Sequence, residues 1–117
     1  TIAKSLAIGN PAAGTFALQT LEETNATAVT APEEEIVEGI RLLAETEGIF
    51  TETAGGVVIS GLRKLAREGV IKPDDVTVAY ITGNGLKTQE VVEHVVQTTS
   101  IDPTYESFEK AMIQNDA

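Results

Sequence analysis

The fold is decided by one stretch near the end of the chain, Ile81-Thr82-Gly83-Asn84-Gly85-Leu86-Lys87-Thr88. It follows the apolar run Val76-Thr77-Val78-Ala79-Tyr80, which is typical of a parallel strand covered on both faces. The two glycines then predict a turn, and a helical pattern resumes over residues 88–97. A strand, a glycine turn and a helix in this order place a ligand at the carboxyl end of a parallel sheet.

The glycine turn matches neither of two common phosphate-binding motifs. A P-loop needs a longer spacing between its glycines and a lysine directly after the second, whereas Leu86 follows Gly85 here. The dinucleotide fingerprint needs a third glycine where this chain has Thr88. Taken without the rest of the chain, the turn is therefore better explained as a structural feature than as a phosphate site.

The composition excludes several classes of partner and site. The chain has 117 residues, with 8 lysines and arginines against 18 aspartates and glutamates, which gives a formal net charge of −10. Such acidity argues against binding to nucleic acid or to an anionic membrane surface, both of which select basic faces. Because the chain has no cysteine and one histidine, a disulfide framework is excluded and a zinc site is not expected.

Location and completeness are also predicted from the sequence. We find no apolar run of membrane-spanning length and no signal peptide, so a cytoplasmic protein is expected. The first residue is Thr1 and not methionine, which suggests that the chain was trimmed or excised from something longer. Its length fits one small domain or a part of a larger one.

Hydrophobic periodicity predicts several helices and only two strands. Helices are expected over residues 10–25, 33–48, 53–69 and 88–97, with a short one after Pro103, and strands over 26–29 and 76–81. The helix after Pro32 is best defined: a capping box precedes it, Gly48 ends it, and its buried stripe contains Ile36, Ile40, Leu43 and Ala44. Because two strands do not make a stable sheet, the chain is predicted to be a piece of a larger α/β domain.

Three stretches together resemble the C-terminal third of the threonine synthase family. They are Ser5-Leu6-Ala7-Ile8-Gly9-Asn10-Pro11, Glu47-Gly48-Ile49-Phe50-Thr51-Glu52-Thr53-Ala54-Gly55-Gly56 and the loop at 81–88. Each has an ordinary structural explanation by itself, as a helix cap, a helix–turn–helix junction and a turn. The resemblance covers residues 1–97, and residues 98–117 resemble the C-terminal extension of longer bacterial members.

The resemblance implies an α/β fold, in which this chain is a fragment of the large domain of a fold-type-II pyridoxal-phosphate enzyme. Helices would pack on a short parallel sheet, with residues 1–97 in the cofactor-binding domain and 98–117 as an extension. That family converts O-phospho-L-homoserine and water to L-threonine and phosphate with pyridoxal 5'-phosphate. The parent enzyme would be a homodimer.

The resemblance also assigns site residues one by one. The Thr82 hydroxyl would hydrogen-bond the pyridine nitrogen and leave it unprotonated. Glu52 matches an acidic position near the site, without a specified role. The remaining matches are segments lying against the cofactor, namely Gly83 and Gly85 in the loop and Ala7, Ile8 and Gly9 near the start of the chain.

The same resemblance predicts that the isolated chain is inactive. The lysine that forms the Schiff base and the loop that holds the cofactor phosphate belong to a part of the family outside this chain, and no lysine here matches that motif. Two alternatives stay open: another fold-type-II pyridoxal-phosphate enzyme, such as a serine/threonine dehydratase, or a stand-alone interaction domain without catalytic function. His94 is expected to be a surface or boundary residue and not a base.

Overall fold

The computed structural model describes residues 1–95 and 98–115. The α-helices of this described part are α1 (Gly14–Thr24), α2 (Glu33–Glu47), α3 (Thr53–Arg67) and α4 (Tyr105–Asn115). Short 3₁₀ turns cover Lys4–Leu6, Gly85–Lys87, Gln89–Val91 and Glu93–Val95. Within these residues, none of the helices combines the length and the apolar character that crossing a membrane would require.

Helix α2 forms where its periodic pattern predicts it. Glutamates at positions 33–35 occupy its first turn, where negative charge is favoured by the helix dipole. Gly48 ends the helix with a φ of 68°, a left-handed conformation that glycine adopts without steric cost. Pro32, however, is the residue that caps the helix, and no side chain bonds to the free amides there. The predicted capping box is therefore wrong, although the predicted helix is confirmed.

The core of the chain is the contact between α2 and α3. Ile36 and Ile40 of α2 are each 2% exposed, and Ile59 of α3 is 7% exposed. The two helices approach so closely that a β-carbon on Gly39 would lie 2.6 Å from the carbonyl oxygen of Gly56. Glycine at both positions thus lets the two backbones touch.

Polar contacts extend this interface toward solvent. The Ser60 hydroxyl donates a hydrogen bond of 2.9 Å to the Glu35 carboxylate, and Arg63 pairs with Glu38 at 3.3 Å. Because the Arg63–Glu38 pair is largely exposed, it contributes little to stability, on the order of 0.5 kcal/mol. The interface is therefore fixed mainly by its apolar and glycine contacts.

The first residues of the chain are anchored to the beginning of α2. Ala3 is buried, and the Ile2 amide donates a hydrogen bond of 2.7 Å to the Glu33 carboxylate. Hydrogen bonds from Thr1 and from the Ile2 amide hold the pKa of Glu33 below its usual value. Beyond this anchor, α1 has no buried residue, and Phe16 on its apolar face is 70% exposed.

Neither predicted strand forms in the part of the chain that the structure describes. Residues 26–29 and 76–81 have no regular secondary structure, and the β-type pairing among the described residues is the single antiparallel bridge between Thr51 and Asn84. A strand is stable only when a neighbour satisfies its backbone hydrogen bonds, and no described segment does so at either place. Within the described residues the helices therefore do not pack on a parallel sheet, and that part of the fold prediction is not confirmed.

The predicted helix over residues 88–97 is also not confirmed. The structure has separate 3₁₀ turns, Gln89–Val91 and Glu93–Val95, where a continuous α-helix was expected, and residues 96 and 97 lie outside the described part. Valine has restricted side-chain rotamers in a helix, and in the described part of the chain neither turn packs extensively against an α-helix that could compensate. His94 lies on the surface, as predicted.

Some details of the other helix predictions are confirmed and others are not. Helix α1 ends at Asn25 as predicted, with the left-handed conformation of a helix stop, but it begins after Ala13 and not at Asn10. Ala44 is exposed, and Gly39 takes the fourth place in the buried stripe of α2. The short helix after Pro103 is confirmed as α4, since the Thr104 hydroxyl accepts a hydrogen bond from an amide of its first turn.

The chain is extended and leaves a large surface exposed. Its radius of gyration is 18.8 Å, whereas a compact domain of this length has about 13 Å. Its accessible surface is 9058 Å², whereas a folded monomer of this mass exposes about 6,100 Å². Large apolar side chains are part of this surface, since Val76, Val78 and Tyr80 are each more than 70% exposed. Val78 and Tyr80 line a groove together with Val58, Leu62 and Leu65 of α3.

We predict that Gly39→Ala destabilises the α2–α3 pair by about 1–3 kcal/mol, because the added methyl group would overlap the Gly56 backbone. Urea unfolding followed by circular dichroism measures the change. Gly9→Ala is the matched control, since a β-carbon there meets nothing within 4 Å. Equal stability of the two variants would contradict direct backbone contact between the helices.

Candidate functional site

A short backbone ladder joins the glycine loop, residues 82–88, to the segment that leads into α3. The Glu52 amide donates to the Gly83 carbonyl at 3.2 Å, and the Gly85 amide donates to the Phe50 carbonyl at 3.0 Å. The Thr51 hydroxyl donates a further bond of 3.0 Å to the Gly83 carbonyl. Two of the three stretches that carry the family resemblance are therefore brought together in space.

The far end of the loop is held by the first turn of α3. The Thr53 amide, one of the free donors at the start of that helix, bonds to the Thr88 hydroxyl at 3.2 Å. The Thr53 hydroxyl itself is buried without a hydrogen-bond partner among the described residues. Glu52 is the cap residue of α3, and Thr53 is the first residue of the helix. Because only its amide bonds to Thr88, Thr53 holds the loop through its backbone.

Gly83 lies directly on the Glu52 carboxylate. A β-carbon at this glycine would overlap the Glu52 side chain, which is itself only 8% exposed. Lys87 reaches back from the loop and pairs with the same carboxylate at 3.3 Å. Glycine is thus required at position 83 because a buried charged side chain fills the space below it.

Gly85 lies on the ring of Phe50. A β-carbon there would be 2.5 Å from several ring carbons, so a side chain at this position would push the ring away. Asn84 orders the following turn, because its side-chain oxygen accepts a hydrogen bond of 2.9 Å from the Leu86 amide. Both glycines of the loop therefore have a steric explanation in the structure.

Thr82 and the early segment are placed differently. The bonds that join residues 50–53 to the glycine loop are called the clamp below. Thr82 is exposed and immediately precedes Gly83, which the clamp holds. Ala7, Ile8 and Gly9 are also exposed, and the amides of Ala7 and Ile8 bond locally, to Lys4 and Leu6. The structure thus brings Thr82, Gly83 and Gly85 into one loop beside Glu52, and it does not hydrogen-bond residues 7–9 to that loop within the described part.

The loop fits one end of pyridoxal phosphate. An exposed threonine hydroxyl can donate a hydrogen bond to an unprotonated ring nitrogen, and the adjacent glycine adds no bulk that would keep a flat ring away. The phosphate end does not fit here, because Glu52 is negative and the nearby Lys87 is already paired with it. The residues present therefore suit the ring nitrogen and not the phosphate group.

Sequence reasoning missed the residues that hold the loop in place. The sequence gives no structural role to Phe50, Thr51 and Thr88 beyond their place in the matching stretches. It marks Lys87 only as a lysine that does not match the Schiff-base motif. Their contacts join positions about 35 residues apart, as in the pairs Thr53–Thr88 and Glu52–Lys87. The signal in the sequence that points to this place is the pair Gly55-Gly56 in the first turn of α3, because glycine within a helix is costly unless another group packs closely against it.

These features match a known class of enzyme. Residues 1–83 match the family described as pyridoxal-phosphate dependent enzyme, and the chain belongs to that family. Pyridoxal phosphate is accordingly the cofactor of the parent enzyme. The matched region includes Thr82 and Gly83 and ends before Gly85.

Curated relatives narrow the similarity to threonine synthases. The chain is 44% identical over 87 residues to the threonine synthase of Halalkalibacterium halodurans, and this match covers 74% of the chain and 25% of that relative. It is 45% identical over 87 residues to the threonine synthase of Methanocaldococcus jannaschii, and this match covers 74% of the chain and 22% of that relative. It is 36% identical over 113 residues to the threonine synthase of Methanosarcina acetivorans, which is 96% of this chain and 28% of that relative. The chain spans about a quarter of the length of the curated relatives that it matches.

We predict that Thr51→Val loosens the glycine loop, since the buried hydroxyl, 1% exposed, would no longer bond to the Gly83 carbonyl. The expected loss of stability is about 1–2 kcal/mol, measured by urea unfolding with exchange of the Gly85 amide as the local reporter. Thr46→Val is the matched control, because that hydroxyl bonds to a carbonyl of its own helix on the surface. If both variants behave alike, the Thr51 bond does not hold the loop.

Proposed function

We propose that this chain forms part of a threonine synthase that converts O-phospho-L-homoserine and water to L-threonine and phosphate. The observation that carries this proposal is the clamp between residues 50–53 and the glycine loop, in a chain 36–45% identical to threonine synthases of bacteria and archaea. When bound, pyridoxal phosphate supplies an electron sink for negative charge on the substrate carbon next to the amino group. The protein around the cofactor binds it and orients its ring.

Thr82 is the residue to which we assign direct contact with the cofactor ring. Its hydroxyl is exposed at the edge of the clamped loop and can donate to the ring nitrogen. A neutral donor of this kind holds no proton that it could transfer fully to the ring, unlike a carboxylic acid partner. We therefore infer that Thr82 orients the ring while keeping its nitrogen unprotonated.

Gly83 and Gly85 have a supporting role in the proposed site. Their missing side chains are replaced by Glu52 and by the Phe50 ring, which pack against the loop from the side of α3. These contacts fix the loop backbone directly after Thr82 and so hold the threonine in one place relative to α3. Ala7, Ile8 and Gly9 are proposed to approach the cofactor only when the rest of the parent domain orders their exposed segment.

The exposed apolar surface supports a larger assembly. The unpaired residues 76–81 lead directly into Thr82, and the neighbouring groove of α3 is apolar. We propose that the remainder of the large domain covers this surface, that the substrate binds between the two parts, and that the parent is a homodimer. The extended shape counts against the alternative of a self-sufficient interaction domain, since such a domain closes its own core. The named relatives favour a synthase over a dehydratase.

A chimeric enzyme tests the proposal. The matching quarter of the Halalkalibacterium halodurans threonine synthase would be replaced by this chain, and phosphate release from O-phospho-L-homoserine would be measured. We expect an active, pyridoxal-phosphate-loaded chimera, in which Thr82→Val lowers kcat/KM about 10- to 100-fold through loss of one hydrogen bond to the ring.

Thr27→Val is the control for this variant, because Thr27 is exposed and lies far along the chain from the loop. It should leave kcat/KM unchanged. A chimera that folds and binds the cofactor but is unaffected by Thr82→Val would remove Thr82 from the site. A folded chimera that acts on serine or threonine and not on O-phospho-L-homoserine would favour the dehydratase.

The isolated chain is predicted to release no phosphate from O-phospho-L-homoserine, even with pyridoxal phosphate added. The described residues fit the ring nitrogen and offer no site for the cofactor phosphate, so the reacting carbon would not be held. A coupled phosphate assay measures this directly, with the unmodified Halalkalibacterium halodurans enzyme as the positive control. Turnover by the isolated chain above the rate of free cofactor would contradict the assignment of a partial site.

A further inference from the structure

One charged pair in the site has no role in the function proposed above. The Lys87 ammonium lies 3.3 Å from the Glu52 carboxylate, and it does so from a side chain that is 63% exposed. The Glu52 side chain, by contrast, is 8% exposed and lies below Gly83. The pair thus joins a solvated cation on the loop to a buried anion at the start of α3.

This pair differs from the other ion pairs of the described residues. Each of the others has both side chains at least 30% exposed, as in Arg41–Glu45 and Lys110–Glu106. Exposed pairs contribute little, whereas a buried carboxylate without a partner carries a large desolvation cost. Removing the Lys87 charge would therefore leave the buried Glu52 carboxylate without its ion-pair partner, whereas removing a lysine from a fully exposed pair leaves a carboxylate that water still solvates.

The position of Lys87 decides where that consequence falls. It is the last residue of the 3₁₀ turn Gly85–Lys87, and Glu52 lies below the other end of the loop, at Gly83. The ion pair therefore joins the end of the loop at Lys87 to the residue that lies below its beginning at Gly83. The backbone bonds from Glu52 to Gly83 and from Gly85 to Phe50 lie inside this span.

We propose that Lys87 is a positioning residue: by neutralising Glu52 it latches the glycine loop to α3 and so fixes the place of Thr82. Its importance for the reaction rests on the proposed function, in which Thr82 contacts the cofactor ring. The latch itself is a property of this chain and is testable without cofactor. Lys87 acts through Glu52 and the loop backbone and not by contact with the reacting atoms.

The first experiment measures amide hydrogen exchange in the full 117-residue chain by nuclear magnetic resonance. Lys87→Met keeps most of the side-chain length and removes the charge. We expect the Glu52 and Gly85 amides to exchange about five-fold faster, because their bonds close the loop. Amides of Ile40 and Leu43 in α2 should not change.

Lys110→Met is the matched control. It breaks an ion pair that is shorter, at 2.8 Å, but exposed on both sides, and it should leave the loop amides unchanged. Lys87→Arg retains the charge and should return the exchange rates to within about two-fold of the original chain. Unchanged loop exchange in Lys87→Met, or an equal increase in Lys110→Met, would overturn the proposal. Equal acceleration of Ile40 and Leu43 would overturn it as well, since the pair would then stabilise the whole helix pair.

The second experiment links the latch to Thr82 in the chimeric synthase. The absorption maximum of bound pyridoxal phosphate should shift in Lys87→Met in the same direction as in Thr82→Val, and Lys87→Arg should reverse that shift. A shift in Thr82→Val with none in Lys87→Met would refute the positioning role. A chimera that binds no cofactor would refute the proposed function alone, and the exchange rates would still decide whether the latch exists.

Discussion

The rest of the structure depends on direct backbone contact between α2 and α3. Gly39 and Gly56 remove the side chains that would otherwise separate the helices, and Ile36 and Ile40 fill the space around them. Because Gly56 lies one turn into α3, this contact fixes the beginning of that helix. The segment before it, residues 50–52, is then held in a defined place and can accept the glycine loop.

The two ends of α3 have different physical characters. Near its beginning, the buried side chains are polar, with Thr51, Glu52 and Thr53 all less than 9% exposed. Further along, Val58, Leu62 and Leu65 face an apolar groove that is open to solvent. Buried polar groups need specific partners, so the first end selects one loop geometry. The open apolar end has no such selectivity and suits a surface that another part of a domain covers.

The sequence predicted what depends on local pattern and not what depends on distant pairing. Helices α2 and α3 follow from periodic apolar residues. The ends of α1 and α2 follow from Asn25 and Gly48, which adopt the left-handed conformation of a helix stop. The capping box failed because Pro32 took the cap position itself. Residues 76–81 have a strand pattern, but a strand needs a neighbour that this chain does not contain within the described residues. Glu52–Lys87 could not be predicted, since no spacing rule relates charges that the fold alone brings together.

Thr82 lies at the junction of two constraints, only one of which is present in this chain. On its carboxyl side, hydrogen bonds and an ion pair hold Gly83, Gly85 and Lys87 against the start of α3. On its amino side, residues 76–81 have no regular secondary structure and no paired neighbour among the described residues. The accessible surface exceeds that of a compact monomer by about 3,000 Å², an area in the range of obligate interfaces. Pairing of residues 76–81 within a larger sheet would therefore hold the Thr82 backbone from the second side, whereas the contacts present in this chain hold it from one side only.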